Sequence, residues 1–247
     1  MRGIASARVM PLLACALSGV LSGFAAAPAQ AADPALKAKT AQYLDSQAEL
    51  LGRTNRKIWS FAETGLGEAR SSAELQQLLR ANGFKVEAGV ANMPTAFVAT
   101  YGSGRPVIGI LAEFDALPGV SQSATGELAP GPNPAAGHAC GHSAFGVGSS
   151  GAAMAIKQLL ASGELKGTVK LYGTPAEETA IGKIYMLRAG YFKDDDVVFT
   201  WHPSSLTLAP YGTTMSLVSV KFRFRGASSH AALQPFAGRS ALDAVEL

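Results

Sequence analysis

Three of the chain's four histidines and one of its two cysteines fall between Gly137 and Pro203. They sit in the runs Gly137-His-Ala-Cys-Gly-His142, Gly173-Thr-Pro-Ala-Glu-Glu178 and Trp201-His-Pro203. Thiolate, imidazole and carboxylate are the donors that hold a borderline-soft divalent cation. Taken singly, each signal is weak. Cys140-x-His142 is as often structural, Glu177-Glu178 alone usually marks a solvated surface, His202 alone reads as a core histidine and Asp115 as a turn cap. Two adjacent carboxylates at a strand end are costly unless a cation compensates them. Together, with every member at a strand end or helix start, they point to a metal centre that hydrolyses an amide bond. His138, four residues before His142, reads as a group supporting a ligand. His230, in Gly226-Ala-Ser-Ser-His-Ala231, reads equally well as a solvated loop residue.

The elements that must position these residues follow from periodicity. Pro34 to Glu63 has helical spacing (Leu36, Tyr43, Leu44, Leu51, Ile58, Phe61), and a second helix is expected from an N-cap at Ser71 or Ser72 to Gly83. Strand-like runs cover 84–90, 96–101 and 106–114, and residues 115 to 141, rich in Pro and Gly, read as a long loop. Helix is expected from Ser143 to Leu160, strand over 168–172, helix over 183–189 and strand over 196–201. This alternation predicts an α/β fold, a three-layer catalytic domain whose sheet is mostly parallel, with ligands collecting at the C-terminal ends of its strands. From Met215 the sequence alternates through Arg225 as a half-exposed strand does, which places the start of a second domain at 215–247 and the first domain at 32–214. A helix opens near Ser240 and the chain stops at Leu247, so the sequence reads as a fragment.

Residues 1–31 have the pattern of a secretory signal peptide: Arg2 and Arg8, an apolar stretch from Val9 to Phe24, and Ala29-Gln30-Ala31 before the cleavage point. A periplasmic or secreted protein is expected, with Cys140 as its single remaining cysteine. The segment is too short and too rich in small residues for a membrane anchor, and Leu13 is a poor neighbour for lipidation at Cys15. Removing two arginines from a formal charge of +3 leaves +1, so neither nucleic acid nor a membrane surface is an expected partner.

With the runs Leu111-Ala-Glu-Phe-Asp-Ala-Leu-Pro118 and Gly238-Arg-Ser-Ala-Leu-Asp-Ala-Val245 added, the sequence resembles the metal-dependent peptidase and amidohydrolase family M20, in its aminoacylase-like branch. The resemblance implies a catalytic domain interrupted by a smaller α+β lid that dimerises, so that 215–247 begins the lid. It implies Cys140 bridging two divalent metals, zinc or alternatively manganese, with His142, Glu178 and His202 as terminal ligands. Glu177 is then the general base and acid, Asp115 and His138 support the ligands, and His230 reaches a partner's site to steady the oxyanion. The implied substrates are N-acyl or aroyl amino acids, or dipeptides. The implied partner is a second copy of the chain or a related subunit. Ser143 stands where relatives usually have Asn or Asp, and Thr179-Ala-Ile181 where close relatives are Gly-rich. The family's last histidine ligand has no counterpart here, so the chain alone is expected to be inactive. A metal-holding remnant is the competing reading, against which the retained Glu177 argues.

Overall fold

The structure is a computed structural model that describes residues 33–209, 212–213 and 215–247. The expected signal peptide lies outside the described residues. Among them, no helix is long and apolar enough to cross a membrane. The chain divides into two compact units between Pro203 and Ser204.

In the first unit, helix α1 spans Pro34–Phe61. The Asp33 side chain caps it by accepting the Ala35 N–H at 2.8 Å, and Pro34 opens its first turn. Helix α2 spans Ala69–Ala81, starting earlier than expected. Ser71 and Ser72 are therefore buried inside the helix and are not its caps. The acceptor comes instead from outside: the Glu63 carboxylate takes the N–H groups of Ser71 and Arg70 at 2.8 and 3.1 Å.

Strands β1 (Lys85–Ala88), β2 (Phe97–Ser103) and β3 (Val107–Ala112) follow. The long loop then holds a two-residue ladder, β4 (Leu117–Pro118) with β5 (Ala136–Gly137), and a single bridge from Ala116 to Thr64. Next come α3 (His142–Ala161), β6 (Gly167–Gly173), the single turn α4 (Glu177–Ala180), α5 (Gly182–Arg188) and β7 (Val197–Phe199).

The five-stranded sheet has the order β1-β2-β6-β3-β7. It is mixed, which corrects the expectation of a mostly parallel sheet. β3 pairs in parallel with β6 and β7, whereas β1–β2 and β2–β6 are antiparallel. The reason lies in the connections. Parallel neighbours need a crossover, and α3 and α5 supply one on either side of β6. β1, β2 and β3 are joined by short links and turn back on themselves.

Helices cover both faces. Ile58, Leu75, Leu79, Phe97, Phe114, Met154, Val169 and Leu171 form the main core under α1, α2 and α3. On the other face Val98, Tyr172 and Met186 pack with Tyr191 and Phe192. Leu171 and Tyr172, adjacent in β6, thus serve opposite cores, as period-two alternation requires.

In the second unit, Met215–Arg225 forms no strand, which corrects the sequence expectation. Its alternation is real, but a strand exists only against a neighbour that takes its backbone hydrogen bonds, and no described residue pairs with this run. Among its described residues are an isolated bridge, Ala227 with Arg239, a 3-10 turn at Pro235–Ala237 and a short helix α6 (Ala241–Glu246) capped by Ser240 as expected.

Candidate metal centre

β3 and β6 run parallel, so their C-terminal ends lie side by side, and the chain leaving each carries acids. Thr174 extends the register beyond the strands by donating its N–H to the Ala112 carbonyl at 2.8 Å. Past these ends come Glu113 and Asp115 on one side and Glu177 and Glu178 on the other. His142 is the first residue of α3 and is fully buried.

Gly141 makes the approach of Cys140 and His142 possible. It has φ 83°, and a Cβ there would lie 3.0 Å from Pro203 Cγ. The far side is held by Trp201, whose indole N–H donates to Ser149 Oγ at 3.0 Å and whose ring centroid lies 5.1 Å from that of Phe145. His202, next in sequence, is thereby carried to the site.

Cys140, His142 and His202 each place a ligand atom within 4.8 Å of the others, and Glu113, His142 and Glu177 form a second such group. Cys140 Sγ is 3.2 Å from His202 Nε2. Asp115, fully buried, accepts the His142 Nδ1–H at 2.9 Å with one oxygen and the Glu178 backbone N–H at 2.9 Å with the other. This fixes the imidazole tautomer and leaves Nε2 as the ligating atom. His142 Nε2 lies 2.9 Å from Glu113 Oε2. The pair lacks hydrogen-bond geometry, and His142 Nε2, Glu113 Oε2 and Glu178 Oε1 all remain buried without a partner. Three orphaned ligand-type atoms beside a thiol are what a bound cation would satisfy, so the residues fit a metal.

Electrostatics agree. Burial pushes the Cys140 thiol up, and Glu178, Glu177 and Glu113 add to the effect, to about 12. A thiolate here requires a positive partner. Burial would lower His142, but Asp115 and Glu113 override it and hold the ring protonated up to about 10, a proton that a cation at Nε2 would displace. Glu177 is raised, first by burial and then by Glu113, while Lys183 opposes.

The expected residues are not all brought together. Cys140, His142, Glu177, Glu178, His202 and Asp115 converge. His138 turns away: its Nε2–H donates to the Ile58 carbonyl of α1 at 3.1 Å, so it braces the loop against that helix. His230 lies in the second unit, where its Nδ1 accepts the N–H groups of Ala232 and Leu233 at 3.2 Å each.

Sequence reasoning missed Glu113 and Lys183. Glu113 is 5% exposed, ion-paired with Lys183 through one oxygen and 2.9 Å from His142 Nε2 with the other. Its position directly after β3 is a usable signal, because ligands collect where such strands end. Lys183, in α5, carried no local signal.

The strand-end placement and the donor set form a candidate metal centre of the kind metallohydrolases use. The chain belongs to peptidase family M20/M25/M40, whose description matches residues 109–239. It is 40% identical over 219 residues to a p-aminobenzoyl-glutamate hydrolase subunit from Escherichia coli, covering 87% of this chain and 43% of that protein. It is 34% identical over 229 residues to a mouse (Mus musculus) Xaa-Arg dipeptidase, covering 86% of this chain and 48% of that one. It therefore spans less than half the length of these relatives. Among solved structures, a dinuclear metal-binding M20 peptidase from Bacillus subtilis superposes with TM-score 0.54 at 28% identity, covering 68% of this chain and 44% of that one.

Proposed function

We propose that the protein hydrolyses the amide bond of N-acyl or N-aroyl amino acids, with p-aminobenzoyl-glutamate as the first substrate to try. The observation that carries this is the convergence of Cys140, His142 and His202 ligand atoms within 4.8 Å beside the raised carboxyl of Glu177. Cys140, His142, Glu178 and His202 are the residues that would hold one or two divalent ions, zinc by donor type and manganese as the alternative. When bound, such an ion acidifies water and polarises the scissile carbonyl. Glu177 is the proton carrier. Its raised pKa suits a group that accepts the proton of the attacking water and delivers it to the amine nitrogen as the C–N bond breaks. Glu113 and Lys183 set the charge around it. Asp115 holds the His142 ring and the Glu178 backbone in place. His230 steadies the oxyanion of a partner copy, which makes a dimer part of the proposal, as is export directed by residues 1–31.

A second reading, a dipeptidase, is favoured by the identity to the mouse Xaa-Arg dipeptidase. The two are separated by assaying the full gene product with p-aminobenzoyl-glutamate and with Xaa-Arg dipeptides. In either case Glu177→Gln keeps its metal and loses turnover by about 10²–10⁴-fold. Unchanged turnover in that variant sinks the assigned role.

A further inference from the structure

Glu68 is fully buried, and no lysine, arginine or histidine lies within ion-pair distance of it among the described residues. It stands at the N-cap position of α2, yet its side chain makes no capping bond there. Glu63 has taken over that task. The Glu68 carboxylate reaches across the chain instead. One oxygen accepts the backbone N–H of Ala176 at 2.7 Å, and the other accepts the Thr95 hydroxyl at 3.1 Å.

Ala176 immediately precedes Glu177. It is fully buried and has φ 57°, the left-handed region that a residue with a Cβ rarely adopts. From there the chain enters α4, and the Ala176 carbonyl accepts the Ile181 N–H at 2.7 Å. The direction in which Glu177 leaves the backbone depends on this one residue holding its conformation. Nothing local favours it, since alanine at this position is strained. What holds it is the loop between α1 and α2. Gly65 packs so closely against the turn that a Cβ would sit 1.9 Å from Thr179 Oγ1 and 3.0 Å from Ala176 Cβ. The same loop meets the other side of the site, where the Ala116 N–H donates to the Glu63 carbonyl at 2.8 Å.

We infer that Glu68 is a positioning residue for the reaction: by binding the Ala176 amide it fixes the left-handed turn that aims the Glu177 carboxylate. This rests on the proposed role of Glu177. An ordinary packing role needs no carboxylate in the interior, where an apolar side chain of the same size fills the space at lower cost. An acceptor facing the Ala176 amide is what the site requires.

The test compares Glu68→Leu with Glu68→Gln in the metal-loaded full gene product. Glutamine keeps an oxygen for the Ala176 N–H, and the Thr95 hydroxyl can turn to accept from its amide. Glu68→Leu is expected to lower kcat about 10–100-fold with KM within about twofold and metal content as in the wild type, the pattern of a lost transition-state contribution. Glu68→Gln is expected to stay within about threefold of wild-type kcat. Hydrogen exchange at the Ala176 amide reads the contact without any substrate, and it is expected to be protected in wild type and Gln but about tenfold or more faster in Leu. Wild-type kcat in Glu68→Leu overturns the inference, as does a Gln variant as impaired as Leu, which would make the charge the active feature. Where Leu does not fold, Glu68→Asp decides: it keeps the charge but is one methylene short of Ala176, and wild-type kcat there overturns the inference. If Glu177→Gln retains full activity, the reading of Glu177 fails, and the exchange result at Ala176 still stands or falls by itself.

Discussion

Replacing Asp115 by asparagine tests the logic of the site at its most constrained point. The carboxylate serves two donors at once, the His142 Nδ1–H and the Glu178 N–H, each at 2.9 Å, and the first of these bonds is fully buried. Asparagine has one acceptor oxygen. If that oxygen keeps the Glu178 amide, the NH₂ group faces Nδ1, and the imidazole must move its proton to Nε2. Nε2 is the atom left unpartnered in the buried site, and a protonated nitrogen cannot ligate. If the oxygen serves His142 instead, the Glu178 N–H is orphaned and the turn carrying Glu177 and Glu178 loosens. Either way a hydrogen bond to a charged acceptor is lost, at a cost of about 1.5–3 kcal/mol. That corresponds to metal binding weaker by roughly 10–100-fold, the usual effect of removing a group that orients a ligand. The assay is a competitive zinc titration of metal-stripped full gene product, wild type against Asp115→Asn, with circular dichroism as the check on folding. A natively folded variant with Kd within about twofold of wild type refutes the argument, because the tautomer would then not depend on Asp115.

Three further outcomes are expected. Leu171→Ala, in the central strand and fully buried, should destabilise the fold by about 2–5 kcal/mol in urea unfolding with the m-value unchanged; a loss under about 1 kcal/mol would mean the core is not packed as described. Gly141→Ala puts a side chain on a φ of 83° and against Pro203, so it should lower Tm and weaken metal binding together, and a variant with both unchanged contradicts the close approach of the two segments. Burial pushes His138 down to about 4 from an ordinary 6.5, so unfolding takes up a proton between those values, and stability should climb as pH rises from about 4 to 6.5. Melting curves across that window should show a shallower climb for His138→Gln; identical profiles would show that the ring is not held neutral by its setting.

How far the sequence discloses this molecule depends on whether a feature is local. The helix of α3 and the strands β3 and β6 are written in apolar periodicity, and the structure has them within a residue or two of expectation. The convergence of Cys140, His142, Glu178 and His202 also follows from one local rule, that chemistry gathers where parallel strands end. What stayed hidden was long-range. The serines at 71 and 72 look like caps until Glu63 arrives from another turn and takes the amides of Arg70 and Ser71. Glu68 looks like an ordinary helix-start acid, because its partner is 108 residues away. The direction of β2 relative to the rest of the sheet depends on its meeting β6, and that strand is read out much later in the chain. The alternation of 215–225 describes a surface that suits a sheet, but it does not supply the neighbouring strand.

The position of β6 between β2 and β3 sets the order of events during synthesis. Both flanking strands leave the ribosome first, and they share no ladder with each other. Until residues 167–173 emerge, β1–β2 and β3 have no common partner, so the sheet cannot close however long the nascent chain waits. The strand that joins them is followed at once by the turn bearing Glu177 and Glu178. A nascent chain held before Gly167 would therefore present an open, apolar strand edge in need of a chaperone, and one whose residue 180 has cleared the ribosome would hold four joined strands, with only the β3 edge still waiting for β7.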